Sequence, residues 1–302
     1  MTTKIPLPKI NVEDVVPDNK MEFKCGPHLN FENGSCIPLN LLIKMAHAFN
    51  KHNQKTGDAD RIKLDSKLDT LDPDNYKKYL LYEFKKRFDG SHMGWIKQKF
   101  TKHMNDEDIQ DLENVFRPSG PSGKFDWLST IDINKVLAQY EEKYPDFKFL
   151  GAVPIDFNEL DYYPFKKMNF DDFSKEGKKR IGVIFNLDEH YKGGSHWVSL
   201  FSDLEKGQIY FSDSYGIRPE KRIRDFMNRI EEYLKQKNIQ NIDVKFNKTQ
   251  HQKGNSECGV YSVNFILRLL KGKTFEHITR NRTPDEKVNK CRAKYFINAN
   301  LK

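Results

Sequence analysis

Cys258 stands where a polar loop, GNSE, gives way to an apolar run, CGVYSVNFILRLL. That pattern predicts a helix opening on the cysteine, where free backbone N–H groups and the positive end of the helix dipole favour the nucleophilic thiolate. Gly259, next in the chain, leaves room for a substrate backbone to come close. His196 opens a strand-like run, HWVSLFSDL, and Asp213 lies at the end of a second, GQIYFSDS. A turn between Leu204 and Gly207 makes the two runs a hairpin and brings residue 196 roughly opposite 213 or 214. Val198 and Leu200 share a face with His196, and Ile209 and Phe211 share a face with Asp213, so alternation sets imidazole and carboxylate on one face at the open end. A carboxylate there fixes the tautomer of the ring and stabilises its cationic form. Gln252, six residues before the cysteine in HQKGNSEC, offers an amide N–H to the oxyanion of a tetrahedral intermediate, with the Cys258 backbone N–H as second donor. Singly, each residue is ordinary: a histidine at a strand start is usually packing, Asp-Ser before a glycine is a turn, and a lone cysteine is usually buried structure. Together they describe hydrolysis through a thiol.

These side chains need a scaffold, and the composition supports one. The chain has 302 residues with 37% hydrophobic, 31% charged and 13% aromatic residues, 22 of them Phe. Its mean hydropathy is −0.78, but that aromatic content excludes wholesale disorder. No apolar run approaches the roughly 18 residues of a membrane span, and MTTKIPLPKI has no apolar stretch of the secretory kind, so neither membrane association nor secretion is expected. The net charge of +8 implies a Lys-rich solvated surface, with weak DNA association as the sharper reading. Four cysteines, with no CxxC pair, predict free thiols in a reducing compartment. Cys25, His28 and Cys36 lack a fourth ligand at zinc-site spacing, and the glycine-rich phosphate and dinucleotide loops are missing. No cofactor is expected.

Periodicity divides the chain. Residues 1–20 read as an extended tail. Helical spacing follows over 36–53, 73–88, 92–104 and 106–116, with no clear strand. The segment RPSGPSGK at 117–124 marks a boundary between a helical arm (21–117) and a mixed α+β core (118–302). In that core Ser129 or Thr130 caps a helix over 132–144, and strands are predicted at 147–153, 180–187, 196–204, 207–214 and 241–247. Helices are predicted at 219–237, at 258–271, and from Thr283-Pro284 onward.

The order His196-Trp197, Asp213-Ser214, Gln252, Cys258-Gly259 resembles the signature of the ubiquitin-like (SUMO) protease and adenovirus protease clan of cysteine peptidases; in papain the cysteine comes first. The segment WLSTIDI, from Trp127, resembles the WLND-type segment that opens the catalytic domain there, departing from it at Ser129-Thr130. The resemblance covers about residues 124–302. HWVSLF, HQKGNSECGVYS and DEKVNKCRAKYF are similar to polyprotein-processing proteases of the African swine fever virus type, found in large DNA viruses and preceded by a helical arm. Where that type has Asn as third triad member, this chain has Asp213. The resemblance implies an α+β, SUMO-protease-like core with a central, mostly antiparallel sheet flanked by helices. It implies catalysis by His196, Asp213, Gln252 and Cys258, and a glycine-only tunnel roofed by Trp127 and Trp197. Alternation alone puts Trp197 on the face opposite His196. The implied activity is cleavage of protein substrates after Gly-Gly, in processing of polyproteins or structural proteins during virion maturation, by a monomer in the host cytoplasm (viral factory) and the virion. An isopeptidase releasing a ubiquitin-like (SUMO) modifier would use the same four residues. A catalytically silent nucleic-acid-binding or scaffold protein fits the charge but not the intact set of four.

Overall fold

Helical periodicity before residue 117 and strand alternation after it become two units, residues 1–117 and 118–302. The computed structural model describes residues 4–54, 60–64, 72–121, 123 and 125–299. Residues 1–3 of the expected tail and 122 and 124 of the expected boundary lie outside them.

In the first unit, α1 (Leu39–His52) buries Leu41, Leu42, Met45 and Phe49 along one stripe. Helix α2 (Pro73–Lys85) starts on Pro73, behind an Asp72 side chain that accepts from the N–H groups of Asp74 and Asn75. The helix expected over 92–104 is broken into α3 (His92–Trp95) and a 3-10 turn at Lys99–His103. Trp95 and Phe100 are both buried. On one continuous helix they would point about 140° apart, and the break turns both inward. Helix α4 (Asp106–Glu113) is capped by Asn105. Phe84 stacks on Trp95 with centroids 5.7 Å apart, and Phe49 meets Phe84 edge-on at 6.3 Å.

Two expectations fail in this unit. Residues 4–20 are not extended throughout, because Val12–Asp14 form a 3-10 turn and Val15 is fully buried. Nor are all four thiols free: Cys25 and Cys36 are joined in a disulfide across a Cα separation of 5.3 Å, within the span a disulfide bridges. The tertiary return of the chain sets that distance, and no spacing rule for two cysteines reports it. Cys258 and Cys291 are free.

In the second unit, α5 (Thr130–Lys143) opens with a capping box in which Ser129 and Asp132 satisfy each other's backbone N–H. Strand β1 (Phe147–Pro154), helix α6 (Phe170–Lys175), and strands β2 (Arg180–Asn186), β3 (Trp197–Asp203) and β4 (Gln208–Ser212) follow. After them come α7 (Lys221–Gln236), β5 (Asp243–Phe246), α8 (Cys258–Leu270), α9 (Phe275–Thr279), α10 (Asp285–Asn289) and α11 (Arg292–Tyr295). The five strands lie in chain order. The central β2–β3–β4 pairings are antiparallel, but β1 pairs with β2, and β4 with β5, in parallel. The sheet is therefore mixed, because both outer strands are reached by crossovers, through residues 155–179 and through α7.

Each sheet face carries its own core. Trp197, Phe201, Tyr210 and Ile184 pack with residues of α5 and α8. Val198, Leu200, Ile209 and Phe211 pack with Ile223, Phe226, Ile230 and Leu234 of α7. Covered on both sides, β3 is buried throughout its length.

Candidate active site

The β3–β4 register pairs Ser199 with Ser212. Continued past the ladder, it sets residue 198 across from 213, so His196 meets Asp213 on the diagonal of the same face. The ring Nε2 lies 2.8 Å from Asp213 Oδ1. A carboxylate only accepts, so Nε2 carries the hydrogen and Nδ1 is left for a second partner. Asp213 is 2% exposed and held from several directions. Its Oδ1 also accepts the Tyr215 N–H at 2.8 Å, an Asx turn. Asn247 grips its backbone, accepting the Asp213 N–H at 2.9 Å and donating to the Asp213 carbonyl at 2.8 Å. Gly216 closes the turn with φ of 76°, and a Cβ there would lie 2.9 Å from the Lys248 carbonyl, so only glycine fits. The Tyr215 ring stacks on His196 with centroids 4.8 Å apart, and its hydroxyl donates to the Gly254 carbonyl at 2.9 Å.

Cys258 is the first residue of α8 and is buried. Its sulfur lies near enough to the His196 ring to act on the ring's proton affinity. Burial by itself would lower the proton affinity of that ring. The bond to Asp213 and the nearness of Cys258 overcome burial and push the His196 pKa up to about 9. At neutral pH the ring is therefore an imidazolium, held between the Asp213 carboxyl group and the Cys258 sulfur.

Gln252 is fully buried. Its Nε2 donates to the Gly254 carbonyl at 3.0 Å, and its Oε1 accepts the Ser214 hydroxyl at 2.6 Å. Only the nitrogen can donate to a carbonyl, which settles the orientation of the amide and leaves one N–H unspent. Ser214 also accepts the Gln252 backbone N–H at 2.9 Å, so the residue after Asp213 anchors the loop that precedes Cys258.

Several residues without a role in the sequence reading hold that loop. Glu257, 2% exposed, accepts from Ser256 Oγ at 2.9 Å and from Asn289 Nδ2 at 3.1 Å. Arg292, 1% exposed, donates to Asn289 Oδ1 at 2.9 Å, to the Asp126 carbonyl at 2.7 Å and to the Ser256 carbonyl at 3.4 Å. Asp285 accepts the N–H groups of Lys253 and Gly254 at 3.0 and 3.1 Å. The stretch DEKVNKCRAKYF is thus a clamp on residues 253–257. A polar residue at three- or four-residue spacing in a short helix was the available signal, but it reads equally as a solvated face. Asn247 carried no signal at all.

Trp127 is 45% exposed, while Trp197 is buried and donates its indole N–H to the Leu128 carbonyl at 2.9 Å. Both line a cleft of about 440 Å³ with Tyr162, His190 and Gly194. Gly259 does not face open space. A Cβ there would lie 3.0 Å from Leu128 Cβ and 3.3 Å from Trp197 Cδ1. The missing side chain admits Leu128 and Trp197, which corrects the expectation that Gly259 makes room for a substrate.

The model of the Ulp1 protease family C-terminal catalytic domain matches residues 167–301. A thiol protease of Acanthamoeba polyphaga mimivirus is 39% identical over 290 residues, covering 91% of this chain and 93% of its own. A cysteine protease of African swine fever virus is 27% identical over 205 residues, covering 62% and 74%. The crystal structure of the African swine fever virus protease superposes with a TM-score of 0.60 at 21% identity, over 94% of this chain and 98% of that one.

Proposed function

The chain belongs to the Ulp1 protease family and is a cysteine-type peptidase acting on protein substrates, and we propose that it cleaves after Gly-Gly in polyprotein or structural-protein precursors during virion maturation. In this reading Cys258 Sγ attacks the carbonyl of the second glycine. The His196 proton, held at Nδ1 while Nε2 stays on Asp213, goes to the departing amine. One Gln252 N–H and the Cys258 backbone N–H bind the oxyanion, and water then hydrolyses the thioester with His196 as base.

The observation that carries this reading is the imidazole bonded to the Asp213 carboxylate, its proton affinity raised by that carboxylate and by Cys258 at the start of a helix. The glycine preference is supported by crowding beside the nucleophile. Trp197 and Leu128 fill the space over Gly259, and Trp127 and Trp197 wall the same cleft. A backbone without side chains passes such walls at least cost. The resemblance to large-DNA-virus proteases supports the precursor as substrate.

The test is mass-spectrometric mapping of cuts in a peptide library. Cuts are expected after the second glycine, and Gly→Ala at either position should abolish them. Cuts at sites lacking glycine would sink the specificity. Preference for a folded SUMO conjugate over an extended Gly-Gly peptide would favour the isopeptidase reading.

A further inference from the structure

His196, just before strand β3, and Trp197, its first residue, serve opposite faces of the sheet. Trp197 belongs to the α8 side and walls the Trp127 cleft. By alternation His196 lies on the side of Val198, whose core is built with α7. On that side a second cavity, of about 380 Å³, has His196 and Asp213 in one wall and Leu187, Val198, Phe211 and Ile217 in the others. Ile217 is 58% exposed, a large apolar side chain at the rim beside the proposed general acid. Arg218, Lys221 and Arg224 also line it, against two acids, Glu220 and the Asp213 that already holds His196. Glu220 is spent on capping α7 through the Arg222 N–H, and Lys221 pairs with Asp225 at 2.7 Å. Arg218 makes no ion pair among the described residues.

Peptide hydrolysis fixes which part of the substrate meets this cavity. The carbonyl side stays on Cys258 as a thioester, and the amine side leaves with a proton from His196. The general acid must touch the departing nitrogen, so the residues after the scissile bond lie along His196. Trp197 and Gly259, packed against each other, mark the acyl side.

We propose that the cavity beneath Ile217 is the subsite for the leaving side of the substrate, taking an apolar side chain with an acidic residue next to it. The apolar walls bury the first, and Arg218 at the rim pairs with the second. This rests on the Gly-Gly endopeptidase reading.

The experiment compares three substrates sharing one Gly-Gly sequence: a peptide continuing Leu-Asp, a peptide continuing Lys-Lys, and a methyl ester, which loses only methanol. The Leu-Asp peptide should exceed Lys-Lys in kcat/KM by about tenfold or more, the scale of one filled apolar pocket with a charge contact. Ile217→Asp should remove the preference for Leu, and Arg218→Glu the preference for Asp, while both variants hydrolyse the methyl ester at the unsubstituted rate. Equal cleavage of the two peptides by the parent enzyme would overturn the subsite, as would variants that slow the methyl ester and the peptides alike. Failure to hydrolyse even the methyl ester would bring down the Gly-Gly reading, and the subsite with it.

Discussion

Each unit buries a histidine among polar partners, and the two are driven to opposite charge states. In the first unit His92 is fully buried, with Nε2 3.0 Å from the Val15 carbonyl and Nδ1 2.9 Å from Ser35 Oγ. A carbonyl only accepts, so Nε2–H donates to it and Nδ1 accepts from the hydroxyl, and a neutral ring satisfies both. Burial, with the charges of Lys85 and Lys77 added, pushes its pKa down to about 3. His196 is also mostly buried, but a carboxylate and a thiol raise it to about 9. Burial depresses both rings, and the charge of the partners decides the outcome. One histidine ties loops together, and the other can carry a proton between sulfur and a leaving amine.

The most severe test of this contrast is Cys258→Ala, which should eliminate hydrolysis while leaving thermal unfolding near its original midpoint. Residual turnover would move the nucleophile elsewhere. Cys291→Ser should retain the rate.

Asp213→Asn should lower kcat, because the amide oxygen can still accept from Nε2 but brings no negative charge to hold the imidazolium. It should also displace the alkaline limb. With His196 at about 9, kcat/KM should fall as pH rises through that value, since the leaving amine then finds no proton. In the Asn variant the fall should come at lower pH, and an unmoved limb would assign it to another group. The stability linkage has the same direction: a pKa raised from 6.5 to about 9 contributes fully below 6.5 and is lost as pH climbs toward 9.

Gln252→Ala should reduce kcat by about 10²–10³-fold with a smaller change in KM, the pattern of a lost oxyanion donor. A change confined to KM would mean substrate binding instead.

Arg292→Met removes the donor that serves Asn289 Oδ1 and the Asp126 and Ser256 carbonyls, and about 1–3 kcal/mol is the scale for a buried polar group left unpaired. Arg292→Lys keeps the charge but not the planar fork, so it should recover part of the stability and less of kcat. Chemical denaturation and single-turnover rates separate the two.

The smallest effect on rate is expected at His92. Its depressed pKa means the unfolded chain takes up a proton below 6.5 that the folded unit refuses until about 3. Stability should therefore be full above 6.5 and drain away as pH falls through that interval. Melting across that range is expected to show the loss, and His92→Gln to flatten it without altering hydrolysis at neutral pH.

Local pattern was enough for much of the site. The change from polar loop to apolar period at Cys258 defines the start of α8, because helix ends and amphipathic periods are properties of adjacent residues. Hairpin alternation puts His196 and Asp213 on one face for the same reason, and a cap at Ser129 or Thr130 comes within two residues of the start of α5, where the structure chooses Ser129. Misreadings came where distant segments meet. Gly259 reads as open in sequence, yet Leu128 and Trp197 arrive from elsewhere to fill its space. The parallel outer strands depend on which edge a crossover returns to, and Cys25 and Cys36 on a chain reversal that sets their separation.

What the amino-acid order by itself determined is therefore short-range: a thiol at a helix mouth, a histidine and a carboxylate on one hairpin face, and helices before a mixed core. Only the tertiary structure decided the proton affinity of His196 and the grip of Asn247, Asn289 and Arg292 on the loops around it. It also decided that cavities open on both sides of the β3 start. Electrostatic energy and burial depend on distance in space, which sequence separation does not report until the chain has packed.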